Sequence, residues 1–198
     1  MNLTEQESKE LLRNLDPGAS IEKKKFARTK FRWPVKHLEG VRFEDSDLGA
    51  PLLGGLLRRP RLSQCVFRNC AMDGLNLSST TIVDTEFSGS TIGKEFHAAF
   101  NQCKLSGSTF ADCWMSYTGF NGCQVTGCRL QQVKGSRLRF ENTSIDRCEF
   151  SGSPGIVHFI KCEITSTEFS SFSPGDMCFV GCTFRDTEIP ENGHTEVL

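Results

Sequence analysis

The sequence predicts an all-β solenoid, a chain that turns every five residues and stacks its turns, and three observations predict it. The first is a period of five. From Phe100, large apolar residues recur at Leu105, Phe110, Met115, Phe120, Val125, Leu130, Phe140, Ile145 and Phe150, with a gap at Gly135. The same spacing runs through Phe67, Met72, Leu77, Ile82, Phe87 and Ile92, and again through Phe159, Ile164, Phe169, Phe179, Phe184 and Ile189, with a gap at Pro174. Five fits neither the 3.6 of a helix nor the two of a strand, so the chain must turn at each repeat. The second observation is a small or modest residue two places before each centre, among them Cys65, Cys70, Thr80, Thr85, Ser90, Cys103, Ser108, Cys113, Thr118, Cys123 and Cys128. Residues two apart on an extended segment point the same way, so each repeat offers one large and one small inward group. The third is the turn-forming pair that follows each centre, such as Arg68-Asn69, Ser88-Gly89, Ser106-Gly107, Asn121-Gly122 and Thr126-Gly127.

Taken in order, the chain opens with Thr4-Glu5-Gln6-Glu7, a capping-box pattern ahead of Leu11, Leu12 and Leu15, and Asp16-Pro17-Gly18 stops what should be a short amphipathic helix. A basic stretch from Glu22 to Trp33 follows, with Phe26, Phe31 and Trp33 among its charges. Residues 1–30 are read as helix plus basic arm. The arm either binds nucleic acid or covers the open end of the solenoid, whose rings and strand edges need a cap; the capping reading is preferred, and no direct nucleic-acid binding is expected. The solenoid is expected over 31–189, beginning with Trp33, Leu38, Phe43 and Leu48. Its frame breaks at 49–61, where Leu52, Leu53, Leu56, Leu57, Arg58 and Arg59 either form a partner-contact loop or fold their leucines back over the coil. Two smaller insertions are expected at 93–99, with His97, and at 151–158, with Ser153-Pro154-Gly155. Residues 190–198 make a polar tail.

Composition fits this reading. Phe occurs sixteen times and Tyr once, as expected if most aromatics are interior plugs with no room for a hydroxyl. Nine of the ten cysteines occupy the small inward slot, a packing role for a small hydrophobe rather than a disulfide framework. With no secretory signal pattern, a reducing cytoplasmic setting is expected. Cys103/Cys123, Cys128/Cys148 and Cys162/Cys182 should stack on adjacent coils, while Cys178 lies outside the inward slot and should be the reactive thiol. No run of eighteen apolar residues occurs, so no membrane span is expected. His37, His97, His158 and His194 are scattered, no hydrolase, zinc-protease, P-loop or dinucleotide pattern is present, and the cysteine spacings follow the coil. Neither enzymatic activity nor a cofactor nor a metal is expected.

The segments CVFRN, TEFSG, CKLSG, STFAD, TGFNG, CQVTG, CEFSG and CTFRD resemble the pentapeptide-repeat family over about residues 62–189, and less specifically over 31–48. The resemblance implies a right-handed quadrilateral β-helix in which four repeats make one coil, here about six to seven coils. With a four-residue insertion assumed near 151–158, the inner columns read Phe100, Phe120, Phe140, Ile164, Phe184 and Leu105, Val125, Ile145, Phe169, Ile189. Such ladders suit a solenoid in which each coil contacts only its neighbours.

The resemblance also implies a function. Pentapeptide-repeat proteins of this kind bind the type II topoisomerases DNA gyrase and topoisomerase IV and protect them from quinolones or natural-product poisons, giving resistance or self-immunity. There the rod imitates duplex DNA in width and negative potential. Net charge is −1, but residues 1–40 hold nine basic and six acidic side chains and the rest hold fourteen and eighteen, so the rod proper is acidic. On the assumed frame Glu141, Asp146, Glu163, Glu168, Asp186 and Glu188 point outward on two adjacent faces of the late coils, making the expected partner surface, with a reach of roughly 8 to 10 Å at physiological salt. Arg139, Arg147, Lys161 and Arg185 dilute it. The alternative is a protein-interaction scaffold or secreted bacterial effector that binds through the N-terminal arm and the 49–61 loop. The resemblance further implies a possible homodimer through the C-terminal end, although the tail has no apolar helix to form that joint.

Overall fold

Each repeat becomes a short strand because the residue two places after its apolar centre turns into left-handed backbone. Asp45, Gln64, Asp84 and Asp112 all take φ between 46° and 53° at this corner. Such backbone costs an L-residue roughly 1 to 2 kcal/mol, so something must secure every corner. The small inward residue does so. Ser90 Oγ donates to the Phe67 carbonyl at 3.0 Å and accepts from the Cys70 amide at 3.0 Å. Thr143 Oγ1 reaches the Phe120 carbonyl at 3.2 Å and accepts from the Cys123 amide at 3.3 Å, while the Cys123 thiol reaches the Phe100 carbonyl at 3.1 Å.

The computed structural model describes residues 1–26, 37–48, 61–72, 75–93, 97–173, 175–191 and 193–196. These form a parallel β-solenoid with four faces, visited in the order I, II, III, IV. Faces I, II and III are sheets of seven, eight and eight strands, and face IV is a two-stranded pair continued by isolated bridges. One helix, Glu5–Arg13, precedes them; Thr4 and Glu7 form the expected capping box, with the Thr4 amide donating to Glu7 Oε2 at 2.7 Å. Those hydrogen bonds to Thr4 hold the exposed Glu7 carboxyl below its ordinary value. Leu12 of this helix is fully buried as part of the hydrophobic core. Among the described residues no helix is long and apolar enough to cross a membrane.

The core is a set of aromatic ladders. On face I, Phe100, Phe120, Phe140, Phe159 and Phe179 stack with successive centroids 4.5, 4.8, 5.0 and 4.8 Å apart. On face III, Phe43, Phe67, Phe87 and Phe110 stack at 5.3, 5.0 and 4.7 Å, within 6° of parallel. Strand spacing sets ring spacing here, and edge contacts such as Phe100 to Phe110 at 6.1 Å join the two ladders.

The structure corrects two expectations and answers one point that the sequence left open. First, the late columns slip: Phe140 pairs with Phe159, not Ile164, and Ile145 with Ile164, not Phe169. That coil has nineteen residues, so 151–158 holds no insertion. The shortcut is taken on face IV, where Gly152 (φ 109°) lies so close to the coil below that a Cβ would sit 2.6 Å from the Val133 amide nitrogen. Second, the gaps at Gly135 and Pro174 are not holes: Val133 and Phe172, each two residues earlier, are buried instead, and the ladder shifts register beside them. Third, the solenoid starts earlier than 31. Strand Ser20–Glu22 already pairs with Arg42–Glu44, and Lys25 bridges both Asn2 and Asp47, so this part of the basic arm is coil. The expected insertion near 93–99 is present, since Leu77 pairs with Phe100 across a coil of twenty-three residues. The remaining arm residues 27–36 and the loop residues Leu52, Leu53, Leu56, Leu57, Arg58 and Arg59 lie outside the described residues.

Candidate binding surfaces

Because the interior is filled, chemistry can be presented only on the outward slots and at the ends. One coil is a residue short and the four-residue insertion assumed near 151–158 is absent, so each later repeat lies a quarter turn from its expected face, which redistributes the predicted acidic set. Glu141 lies on face I, Asp146, Glu163 and Asp186 on face II or its corner, and Glu168 on face III, so the patch covers three faces rather than two. Two of its members are engaged by neighbouring arginines: Arg139 Nη2 donates to Glu141 Oε2 and Arg147 Nε to Asp146 Oδ2, each at 2.9 Å. Glu168, Asp186 and Glu188 do come together. With Glu191 they rim a depression of about 630 Å³ at the C-terminal end of face III, whose floor is Phe169, Phe172 and Ile189. Ile189 is 41% exposed there, core material left uncovered where the stack ends.

A second concavity of about 630 Å³ was not anticipated from the sequence. It lies mid-rod on face I, across the strands Ala98–Asn101, Thr118–Asn121, Arg137–Glu141 and Ile156–Ile160. Its origin is the loss of side chains. The outward slot before each face I centre carries Ala99, then Gly119, before Arg139 and His158 restore bulk, and these four are register neighbours on adjacent strands. One rim consists of His97, Tyr117 and Arg137. The His97 and Tyr117 rings meet edge to face at 5.3 Å, and the Arg137 guanidinium carbon lies 5.9 Å above the centre of the Tyr117 ring, a cation–π contact. Tyr117, the one tyrosine of the chain, is 39% exposed and occupies a left-handed corner at φ 51°. Ser116 anchors that corner: its buried hydroxyl accepts from Trp114 Nε1 at 2.9 Å and from the Ser136 amide at 3.0 Å. The legible signal was a small residue immediately before the centre in two repeats twenty apart, Ala99-Phe100 and Gly119-Phe120.

The cysteines divide by burial. Eight are buried, while Cys178 and Cys182 are half-buried. Burial pushes the Cys113 thiol up to about 12 and Cys70 to about 11. Cys182, near the C-terminal end, is lowered to about 7, chiefly by a hydrogen bond from Cys162, whose own thiol the same contact and burial push up. Cys178 faces outward on face I, between His158 and His194 on adjoining strands. Among the described residues no three histidine, cysteine or acidic side chains are placed to hold a metal ion.

With the five-residue coil period, the four faces and the corner geometry established, the comparison with known proteins is direct. The family described as pentapeptide repeats matches residues 96–132, in eight copies. Residues 96–132 carry pentapeptide repeats, and the fold of the described residues is that of a pentapeptide-repeat solenoid. No curated protein matches the sequence. Among solved structures, the chain is similar in fold to HetL, a pentapeptide-repeat protein involved in heterocyst differentiation regulation from the cyanobacterium Nostoc sp. strain PCC 7120. The identity is 10%, over 90% of this chain and 81% of that one, with a TM-score of 0.56. It also matches two variants of QnrB1, a plasmid-mediated fluoroquinolone resistance protein. These are 13% and 14% identical over 88% of this chain, covering 85% and 84% of theirs, with TM-scores of 0.37 and 0.36.

Proposed function

We propose that this chain is a non-catalytic binding rod whose acidic C-terminal end docks on the basic groove of a type II topoisomerase and protects that enzyme from poisons. One observation carries the contact site: Glu168, Asp186 and Glu188 gather with Glu191 around an apolar floor at the end of the stack. An acidic rim over exposed apolar surface is the complement of a basic, partly apolar cleft, and its potential steers encounter over about one Debye length, roughly 8 Å in physiological salt. The choice of a topoisomerase comes from the pentapeptide-repeat resemblance and the acidic balance of the rod. Glu141, Asp146 and Glu163 flank the rod above this end and act as secondary contacts. The scaffold alternative rests on the arm and the 49–61 loop, which lie outside the described residues.

Supercoiling by purified gyrase, titrated with the protein with and without a gyrase poison, tests the proposal at low and physiological salt. Rescue from the poison, or inhibition that fades with salt, is expected, and Glu168→Lys with Glu188→Lys should remove it. No effect at roughly tens of micromolar, a concentration at which even a weak specific complex forms, sinks the proposal for that enzyme.

A further inference from the structure

We propose that the mid-rod groove on face I is a second docking site, for an acidic extended segment of a protein partner that seats one apolar side chain between flanking carboxylates. The inference goes beyond the topoisomerase contact and shares with it only the premise of a binding rod. Its first support is shape. Ala99 and Gly119 leave a floor across which no side chain projects: a Cβ built on Gly119 meets nothing within 4 Å. The buried Leu138 and half-buried Ile156 extend that floor as apolar surface. The second support is charge. Arg137, Arg139, His97 and His158 line the groove and none of its described lining residues is acidic, although the rod as a whole carries more acids than bases. Arg139 is shared with Glu141, so Arg137, held against the Tyr117 face, is the principal cationic contact.

Dimensions set the size of the occupant. The groove crosses four adjacent strands, about 14 Å at roughly 4.8 Å per spacing, and an extended peptide covers that length in about four residues. Guanidinium forks bind carboxylates bidentately, which gives the recognition a direction as well as a charge. The rim is also preorganised, since Ser116 fixes the corner that carries Tyr117, so little ordering cost falls on the protein when it binds.

The test uses the full chain and a fluorescein-labelled pentapeptide of sequence Glu-Phe-Glu-Leu-Glu, read by fluorescence anisotropy at two salt concentrations. Its controls are the same peptide with glutamines for glutamates and an oligothymidine of equal charge. Binding of the acidic peptide that weakens with salt is expected. Gly119→Leu, which fills open space, and Arg137→Glu, which reverses an exposed charge, should each weaken it about tenfold, the scale on which losing one good interfacial contact is felt. Thermal melting of both variants should match the parent. Glu188→Lys, at the other concavity, should leave peptide binding unchanged. Absence of binding, equal binding of the glutamine peptide, or indifference to both groove variants overturns the proposal. Preference for the oligothymidine overturns it in favour of a nucleic-acid site.

Discussion

The two concavities have the same volume, about 630 Å³, and opposite chemistry, and they are made in opposite ways. The C-terminal depression lies where the described coils leave core side chains partly uncovered: Phe184 is only partly buried, Ile189 is exposed, and the outward acids Glu168, Asp186, Glu188 and Glu191 rim it. The groove exists although the stack continues. Phe100, Phe120 and Phe140 run unbroken beneath it, and only outward side chains have been removed. In a solenoid, then, an end yields a site by leaving core exposed, while a middle coil yields one only by subtraction from its surface. The first kind should be soft and the second rigid.

Thiol chemistry should separate the two regions most widely. At neutral pH Cys182, near the end, should be alkylated far faster than Cys113, in the middle coils, because the Cys162 contact lowers the Cys182 thiol, burial raises that of Cys113, and only the thiolate reacts. The Cys182 thiol has its pKa lowered to about 7, so its alkylation should rise with pH through 7 and level off above it. Iodoacetamide labelling read by peptide mass spectrometry checks this, and Cys113 labelled as fast in the native protein would break the contrast. Truncation of the core comes next. Phe120→Ala, beneath the groove, should cost about 3 to 5 kcal/mol, and Phe184→Ala less than half of that, because the end site is already partly wet. Urea denaturation measures both, and equal losses would erase the distinction between soft end and rigid middle. Gly152→Ala should cost about 1 to 3 kcal/mol in the same assay, from backbone strain and close approach to Val133. The smallest change is expected from Asp186→Lys with Glu188→Lys: about 0.5 kcal/mol or less in stability, as for most exposed charges, while contact with the proposed partner is lost.

The residues explain what could be read in advance. From Leu62 to Leu130 every centre named from the five-residue period is buried, because period and packing have one cause there. The frame failed after Ile145 because nothing in Ser151-Gly152-Ser153-Pro154 distinguishes a four-residue excess from a one-residue shortage; the answer lies in Gly152 pressing on Val133, a contact between coils. That error turned Glu163 and Glu168 by one face each, and so dispersed the acidic patch. The groove leaves no charge signature in the sequence, because Ala99 and Gly119 make it by what they lack.

The phenylalanine ladders carry a geometric consequence for both sites. Since consecutive rings repeat at 4.5 to 5.0 Å with the strands, the interval between the groove and the acidic end is counted in whole coils. The rod is therefore a ruler with fixed graduations: duplicating one twenty-residue coil beyond His158 would move the two sites apart by a single step of about 4.8 Å while leaving each intact. A lineage built this way can retune the reach between two binding chemistries by copying a segment, without redesigning either.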